Sequence, residues 1–112
     1  MIVYRIEHID TGLGPFQDKR ESLKPLLIEL NLFHKGMDTP FFDPKLAHIF
    51  DKQYYCAYKC LDDLYKFSSK ELLEKLKEKG YSVIQLDLND FIEGDSQVIF
   101  TKDQVINTQL IK

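Results

Sequence analysis

Residues 68–88 read SSKELLEKLKEKGYSVIQLDL and predict a helix followed directly by a strand. Ser68 and Glu71 have the spacing of a capping box, and leucines then recur on one helical face. Gly80 stands where a helix ends with a residue in the left-handed conformation. From residue 81 to residue 88, apolar side chains alternate with polar ones, which is the period of a β-strand.

Four other segments predict strands. Residues 2–7 alternate with period two, so one face of this strand is predicted to enter the core and Arg5 to point away from it. Residues 54–58 are mostly aromatic, and residues 97–100 form a short apolar run, both typical of strands. Residues 105–111 alternate weakly and predict a last strand at the edge of the sheet.

Helical and loop patterns separate these strands. Residues 18–33 predict an amphipathic helix, with shorter helices at 44–50 and 61–67. The glycines and proline of residues 11–15 predict a turn, and the acidic residues 89–96 predict a solvated loop. Strands and helices without a regular alternation indicate an α+β fold: a small, strongly bent antiparallel or mixed sheet with about three helices.

Composition bounds the class of protein. The 112 residues are 44% hydrophobic and include six Tyr and eight Phe, enough for one compact domain spanning residues 1–112. The net charge is −3 and bases are interleaved with acids, so we expect no nucleic-acid partner. The chain lacks a signal-like start and a long apolar run, which predicts a cytoplasmic protein without membrane contact. The oligomeric state is left open.

Three motif readings fail on spacing. Gly12 and Gly14 begin a dinucleotide fingerprint, but Gln17 stands where its third glycine is needed. Cys56 and Cys60 lack two further ligands at zinc spacing, so we expect no metal and two buried thiols. The acidic run after residue 87 places apolar residues where a calcium loop needs a ligand and a glycine.

Two polar residues on short strands are the candidates for chemistry. Arg5 and Gln97 both fall on the strand face opposite the predicted core, which would allow them to meet in one cleft. The alternative is that Arg5 pairs with a nearby acid such as Glu7 or Asp10. Phe41 and Phe42 lie in a proline-rich and glycine-containing loop and are the candidate partner-binding residues, since large aromatics avoid water.

The order of these motifs resembles that of small phage and prophage proteins. It is also similar, more distantly, to the layout of ADP-ribosyltransferase-like domains. That resemblance implies a catalytic set in which Arg5 holds NAD, Tyr58 supports the nicotinamide side and Gln97 binds ribose. Gln97 takes the place of a glutamate and cannot act as a carboxylate base. The remaining candidate ligand-binding residues are Gly12, Gly14 and His48.

The leading functional hypothesis is a small phage-type accessory protein that binds a host protein, either of defence or of metabolism, and inhibits it. Its basis is the small size, the incomplete catalytic set and the aromatic pair in the loop. The alternative is an NAD-dependent ADP-ribosyltransferase, or an NAD-binding relative of one, for which NAD would be the cofactor.

Overall fold

The computed structural model describes residues 1–15, 23–28, 45–46, 49, 53–95 and 97–111. These residues contain one six-stranded antiparallel sheet and three helical segments, which confirms the predicted α+β class. The strands are β1 (Ile2–His8), β2 (Tyr55–Tyr58), β3 (Tyr81–Leu88), β4 (Ile92–Glu93), β5 (Gln97–Phe100) and β6 (Val105–Leu110). The helices are α1 (residues 24–28 of its described part), α2 (Leu61–Phe67) and α3 (Lys70–Glu78). The strand order is β4-β5-β2-β1-β3-β6.

Helix α3 begins one residue later than predicted. Its N-cap is Ser69, whose side-chain oxygen accepts a hydrogen bond from the backbone N–H of Leu72 at 3.2 Å. Ser68 instead ends α2, where its backbone N–H donates to the carbonyl of Leu64 at 3.0 Å. Of the two consecutive serines, Ser68 therefore ends α2 and Ser69 caps the start of α3. The capping-box spacing alone did not distinguish these two roles.

Strands β1 and β3 form the longest pair in the sheet. They pair from Ile2↔Asp87 to His8↔Tyr81, so every residue of β1 has a partner on β3. By contrast, β1 and β2 share one paired position, Tyr4↔Tyr58. The long pairing of β1 with β3 fixes which side chains share a face, because paired residues point to the same side of a sheet.

One face of the sheet, here called the helix face, packs against the helices. It carries Tyr4, Ile6, Tyr58 and Tyr81, which form one core with buried side chains of the helical segments, namely Leu23, Leu26, Leu64, Leu72 and Leu76. The opposite face, here called the inner face, carries a second core made of Val3, Ala57, Ile84, Leu86, Leu88, Val98 and Phe100. Both faces of the central strands are therefore buried.

The inner face is buried because the sheet curls around it. β5 and β6 are separated by four strand intervals, about 19 Å in a flat sheet. The four residues that join them span at most about 18 Å, and three of them form a short 3₁₀ turn, Lys102–Gln104. β5 and β6 also run in the same direction, so the connection between them must cross the inner face. This short connection can extend from β5 to β6 only if the sheet is strongly bent.

The burial of Arg5 corrects the prediction that its side of β1 points away from the core. Val3 and Arg5 are 0% and 5% exposed, whereas Ile2, predicted to face the core, is 41% exposed. Period two gives the alternation correctly, but it does not show that the bent sheet encloses the second face as well.

The acidic segment is also more ordered than predicted. Within the expected loop 89–96, β4 pairs with β5 through Ile92↔Ile99 and Glu93↔Val98. The Glu93 carboxylate lies 2.8 Å from the Lys59 ammonium, which fixes this hairpin to the end of β2. The final edge strand is confirmed as β6. No helix in the described ranges combines the length and the apolar content required to cross a membrane.

The turn from α3 into β3 can be tested at Gly80. Its φ of +95° is unfavourable for other residues, and a Cβ built there would lie 2.5 Å from His8 Nε2. We expect Gly80→Ala to lower the free energy of unfolding by about 1–3 kcal/mol from the backbone alone, and by more from the contact with the ring. Urea denaturation measures the loss. His8→Ala in the Gly80→Ala background should recover the steric part, and a Gly80→Ala variant as stable as the wild type would contradict the assignment.

Candidate functional site

A buried charged cluster lies on the inner face beside β1. The Arg5 Nε atom lies 3.0 Å from Glu7 Oε2, and Nη1 donates to the Cys56 carbonyl at 3.1 Å. The guanidinium carbon lies 5.1 Å from the centre of the Tyr55 ring, within the range of a cation–π contact. Arg5 therefore links β1 to β2 next to their single paired position.

Lys102 completes this cluster from the connection between β5 and β6. Its Nζ atom lies 2.7 Å from the same Glu7 oxygen and 4.7 Å from the centre of the Tyr55 ring. Gly12, with φ +73°, lies alongside: a Cβ there would be 3.5 Å from Lys102 Nζ and 3.6 Å from Glu7 Oε1. Two cations thus share one carboxylate and one aromatic ring, and the alternative prediction that Arg5 pairs with Glu7 is confirmed.

Gln97 and Tyr58 lie on the other side of the sheet. Tyr4 pairs with Tyr58 and Tyr58 pairs with Gln97, so all three point to the helix face. Arg5 follows Tyr4 directly and points to the inner face. The cleft expected to join Arg5 and Gln97 is therefore not formed by these two residues, because Arg5 points to the inner face and Gln97 to the helix face.

The other candidate residues are scattered. Gly14 is buried just after the turn that follows β1. Phe41, Phe42 and His48 lie outside the described residues, so their assigned roles stay predictions. The roles of Arg5, Tyr58 and Gln97 in NAD chemistry likewise stay predictions; in the structure Arg5 and Gln97 are 5% and 2% exposed.

The two cysteines are free thiols in different surroundings. Cys56 is half-buried, and burial raises the pKa of its thiol, while the charge of Arg5 acts in the opposite direction. A thiol with a raised pKa stays protonated at neutral pH and is a poor nucleophile. Cys60 is exposed, which corrects the prediction of two buried thiols: it precedes α2 as its N-cap residue. The described residues contain no cluster of three potential metal ligands.

A cleft of about 310 Å³ opens on the helix face between α3, β3 and the end of the chain. Its lining includes the apolar residues Leu73 of α3, Val83 of β3 and Ile111, and the aromatic residue Tyr65. The charged residues on its lining are Lys70, Glu74 and Lys77. The sequence contained a signal for this site, since residues 70, 73, 74 and 77 share one helical face. Leu73 also belongs to the predicted leucine stripe, and it packs against the helix-face core as well as lining the cleft.

The fold and these sites define a small α+β protein with a curled antiparallel sheet, helices on one face and a cleft of mixed apolar and charged lining beside α3. The chain belongs to the family described as Bacteriophage T4 Y00F protein, whose family model matches residues 1–112. No curated protein and no solved structure matches it. The predicted resemblance to phage proteins is confirmed by this family, and the resemblance to ADP-ribosyltransferase-like domains is not shown by these comparisons.

The charged cluster makes a stability prediction. We expect Glu7→Gln to lower the free energy of unfolding by about 3 kcal/mol, because it leaves the buried Arg5 charge without its carboxylate. Lys102→Met should cost less, about 1 kcal/mol or below, since solvent screens the partly exposed ammonium. Urea denaturation at neutral pH compares the variants.

Asp63→Asn is the matched control for this comparison. It makes the same acid-to-amide change in the Asp63–Lys66 pair of α2, whose Lys66 side chain is 73% exposed, so we expect a loss well below that of Glu7→Gln. A Glu7→Gln variant no less stable than Asp63→Asn would show that the cluster does not support the fold.

Proposed function

We propose that this chain is a phage accessory protein that binds a host protein, of defence or of metabolism, and inhibits it. Membership of a bacteriophage protein family supports the phage part of the proposal. The cleft beside α3 supports binding, and it is the observation on which the proposal rests.

The chemistry of the cleft suits a protein side chain. Its lining combines aliphatic and aromatic groups with three charged side chains, and its volume of about 310 Å³ lies at the small end of ligand pockets. Protein interfaces concentrate their binding energy where an apolar anchor fills such a depression and polar groups surround it. Lys70, Glu74 and Lys77 supply charges of both signs around that anchor.

The position of Leu73 makes the cleft testable, because its side chain lines the cleft and lies at the margin of the helix-face core. Leu73 is half-buried and lines the cleft, whereas its neighbour Leu72 is buried in the helix-face core. A polar residue at 73 should therefore weaken the binding of a partner that inserts an apolar side chain, while the buried Leu72 keeps α3 packed on the sheet. The accompanying loss of stability should be small, because only part of the side chain is buried.

The experiment captures proteins from host lysate on the tagged chain and compares wild type, Leu73→Gln and Glu78→Gln. Glu78 is exposed on the same helix and does not line the cleft, so its variant controls for the introduced amide. We expect Leu73→Gln to weaken capture of a specific host protein at least about tenfold, the effect of losing roughly 1.4 kcal/mol from an apolar anchor, while Glu78→Gln leaves it unchanged.

A purified captured protein should then bind the wild-type chain in calorimetry and lose activity on binding. Thermal melting must show that both variants remain folded. Capture that Leu73→Gln and Glu78→Gln leave equally strong would remove the cleft as the binding site, and a bound host protein that keeps its activity would refute inhibition.

A further inference from the structure

Strand β6 ends the sheet on the side of β3, and no described strand pairs with its outer edge. Its residues after Val105 are exposed, including two large apolar side chains, Ile106 at 64% and Leu110 at 56%. The segment 105–111 reads VINTQLI and contains no charge, although 29% of the whole chain is charged. Soluble proteins usually protect such an edge with charges, proline or shortness. The opposite edge, β4, follows that rule with two residues, one of them Glu93.

The register of β6 shows which main-chain groups face outwards. The N–H of Ile111 donates to the Val83 carbonyl at 2.9 Å, so these two residues form a hydrogen-bonded pair. Hydrogen-bonded and non-bonded pairs alternate along an antiparallel ladder, which makes Gln109↔Gln85 and Asn107↔Asp87 bonded pairs as well. The N–H and C=O groups of Thr108 and Leu110 consequently point away from β3.

The residues around Thr108 form a palindrome in chemical class. Ile106, Asn107, Thr108, Gln109 and Leu110 read apolar, amide, hydroxyl, amide, apolar in either direction. Two copies of this strand that pair antiparallel about a two-fold axis at Thr108 match like with like at every position. A two-fold interface is self-complementary by definition, so a palindromic edge is the pattern it requires.

This register also satisfies the hydrogen bonds. Thr108 meets Thr108 of the second copy with the N–H and C=O groups of both directed at the other strand, and those of Leu110 also point outwards, opposite Ile106, which lies at the register shift of β6. Thr108 and Leu110 fall on the inner-face side, opposite Leu86 and Ile84, and the amides Asn107 and Gln109 fall on the helix-face side, opposite Asp87 and Gln85. Because β6 carries no charge, the symmetric approach brings no like charges together.

We propose that β6 pairs with β6 of a second copy of this chain, antiparallel and centred on Thr108, to form a homodimer with one continuous sheet. The inference goes beyond the proposed host binding and does not depend on it. In the single chain, Asn107 Oδ1 accepts the Thr108 N–H at 3.0 Å, and pairing exchanges this local bond for one to the second copy. An interface built on one strand edge is small, so dimerisation depends on protein concentration.

The test uses the symmetry of the proposed pairing, in which Thr108 lies opposite Thr108 of the second copy. Thr108→Lys and Thr108→Glu each place like charges across the axis, and each should weaken dimerisation by about fivefold or more, the effect of roughly 1 kcal/mol. An equimolar mixture of the two variants places Lys opposite Glu and should restore the dimer. Sedimentation equilibrium over a concentration series at low salt measures all samples.

Ile28→Lys and Ile28→Glu are the matched controls, since Ile28 is 60% exposed and belongs to α1 rather than to β6. They should dimerise like the wild type, and circular dichroism checks that every variant is folded. A wild-type chain that stays monomeric throughout the series overturns the proposal. Thr108→Lys dimers as stable as the wild type place the interface elsewhere, and a mixture that fails to dimerise overturns the register. Host capture by monomeric Thr108→Lys keeps the two proposals separate.

Discussion

A buried cation determines how this sheet is built. Arg5 lies at the centre of the central strand and points into the inner face, where an uncompensated charge would cost several kcal/mol. Glu7, two residues along on the same face, supplies the counter-charge, and the Cys56 carbonyl takes one further hydrogen bond. Lys102 reaches the same carboxylate from the connection that crosses the inner face. The cluster therefore links β1, β2 and that connection at one place, beside the single position at which β1 and β2 pair.

In the part of the chain that the structure describes, this arrangement buries both faces of the sheet at β1. The helix face is covered by α1, α2 and α3, and the inner face is enclosed by the curl of the sheet. Among the described residues, the exposed large apolar side chains are Ile2, Ile9, Ile28, Ile106 and Leu110, and β6 is the described element that carries two of them. The two proposed binding surfaces, the cleft beside α3 and the outer edge of β6, both lie on the side of the sheet formed by β3 and β6.

The sequence predicted the fold well where local rules decide it. Alternation gave β3, the glycine with positive φ ended α3, and the weak pattern after residue 104 gave β6. The candidate site was predicted less well because it depends on register. Arg5 and Gln97 share a polar character and a strand context, but which face each one occupies is set by the pairs Tyr4↔Tyr58 and Tyr58↔Gln97, which no short pattern contains. Curvature is equally non-local: it follows from a four-residue connection across four strand intervals.

The two proposed surfaces are linked by the chain itself. Ile111 lines the cleft and follows β6 directly, so pairing about Thr108 places one cleft near each end of the joined strands. Ile111 lies three positions after Thr108, and at about 3.4 Å per residue the two Ile111 positions lie roughly 20 Å apart along the strand direction. A two-fold axis perpendicular to the sheet keeps both clefts on the helix-face side. A dimer would thus present two equivalent clefts on the same side, and a partner with two matching sites would bind far more tightly than one cleft allows, since its second contact forms at high effective concentration.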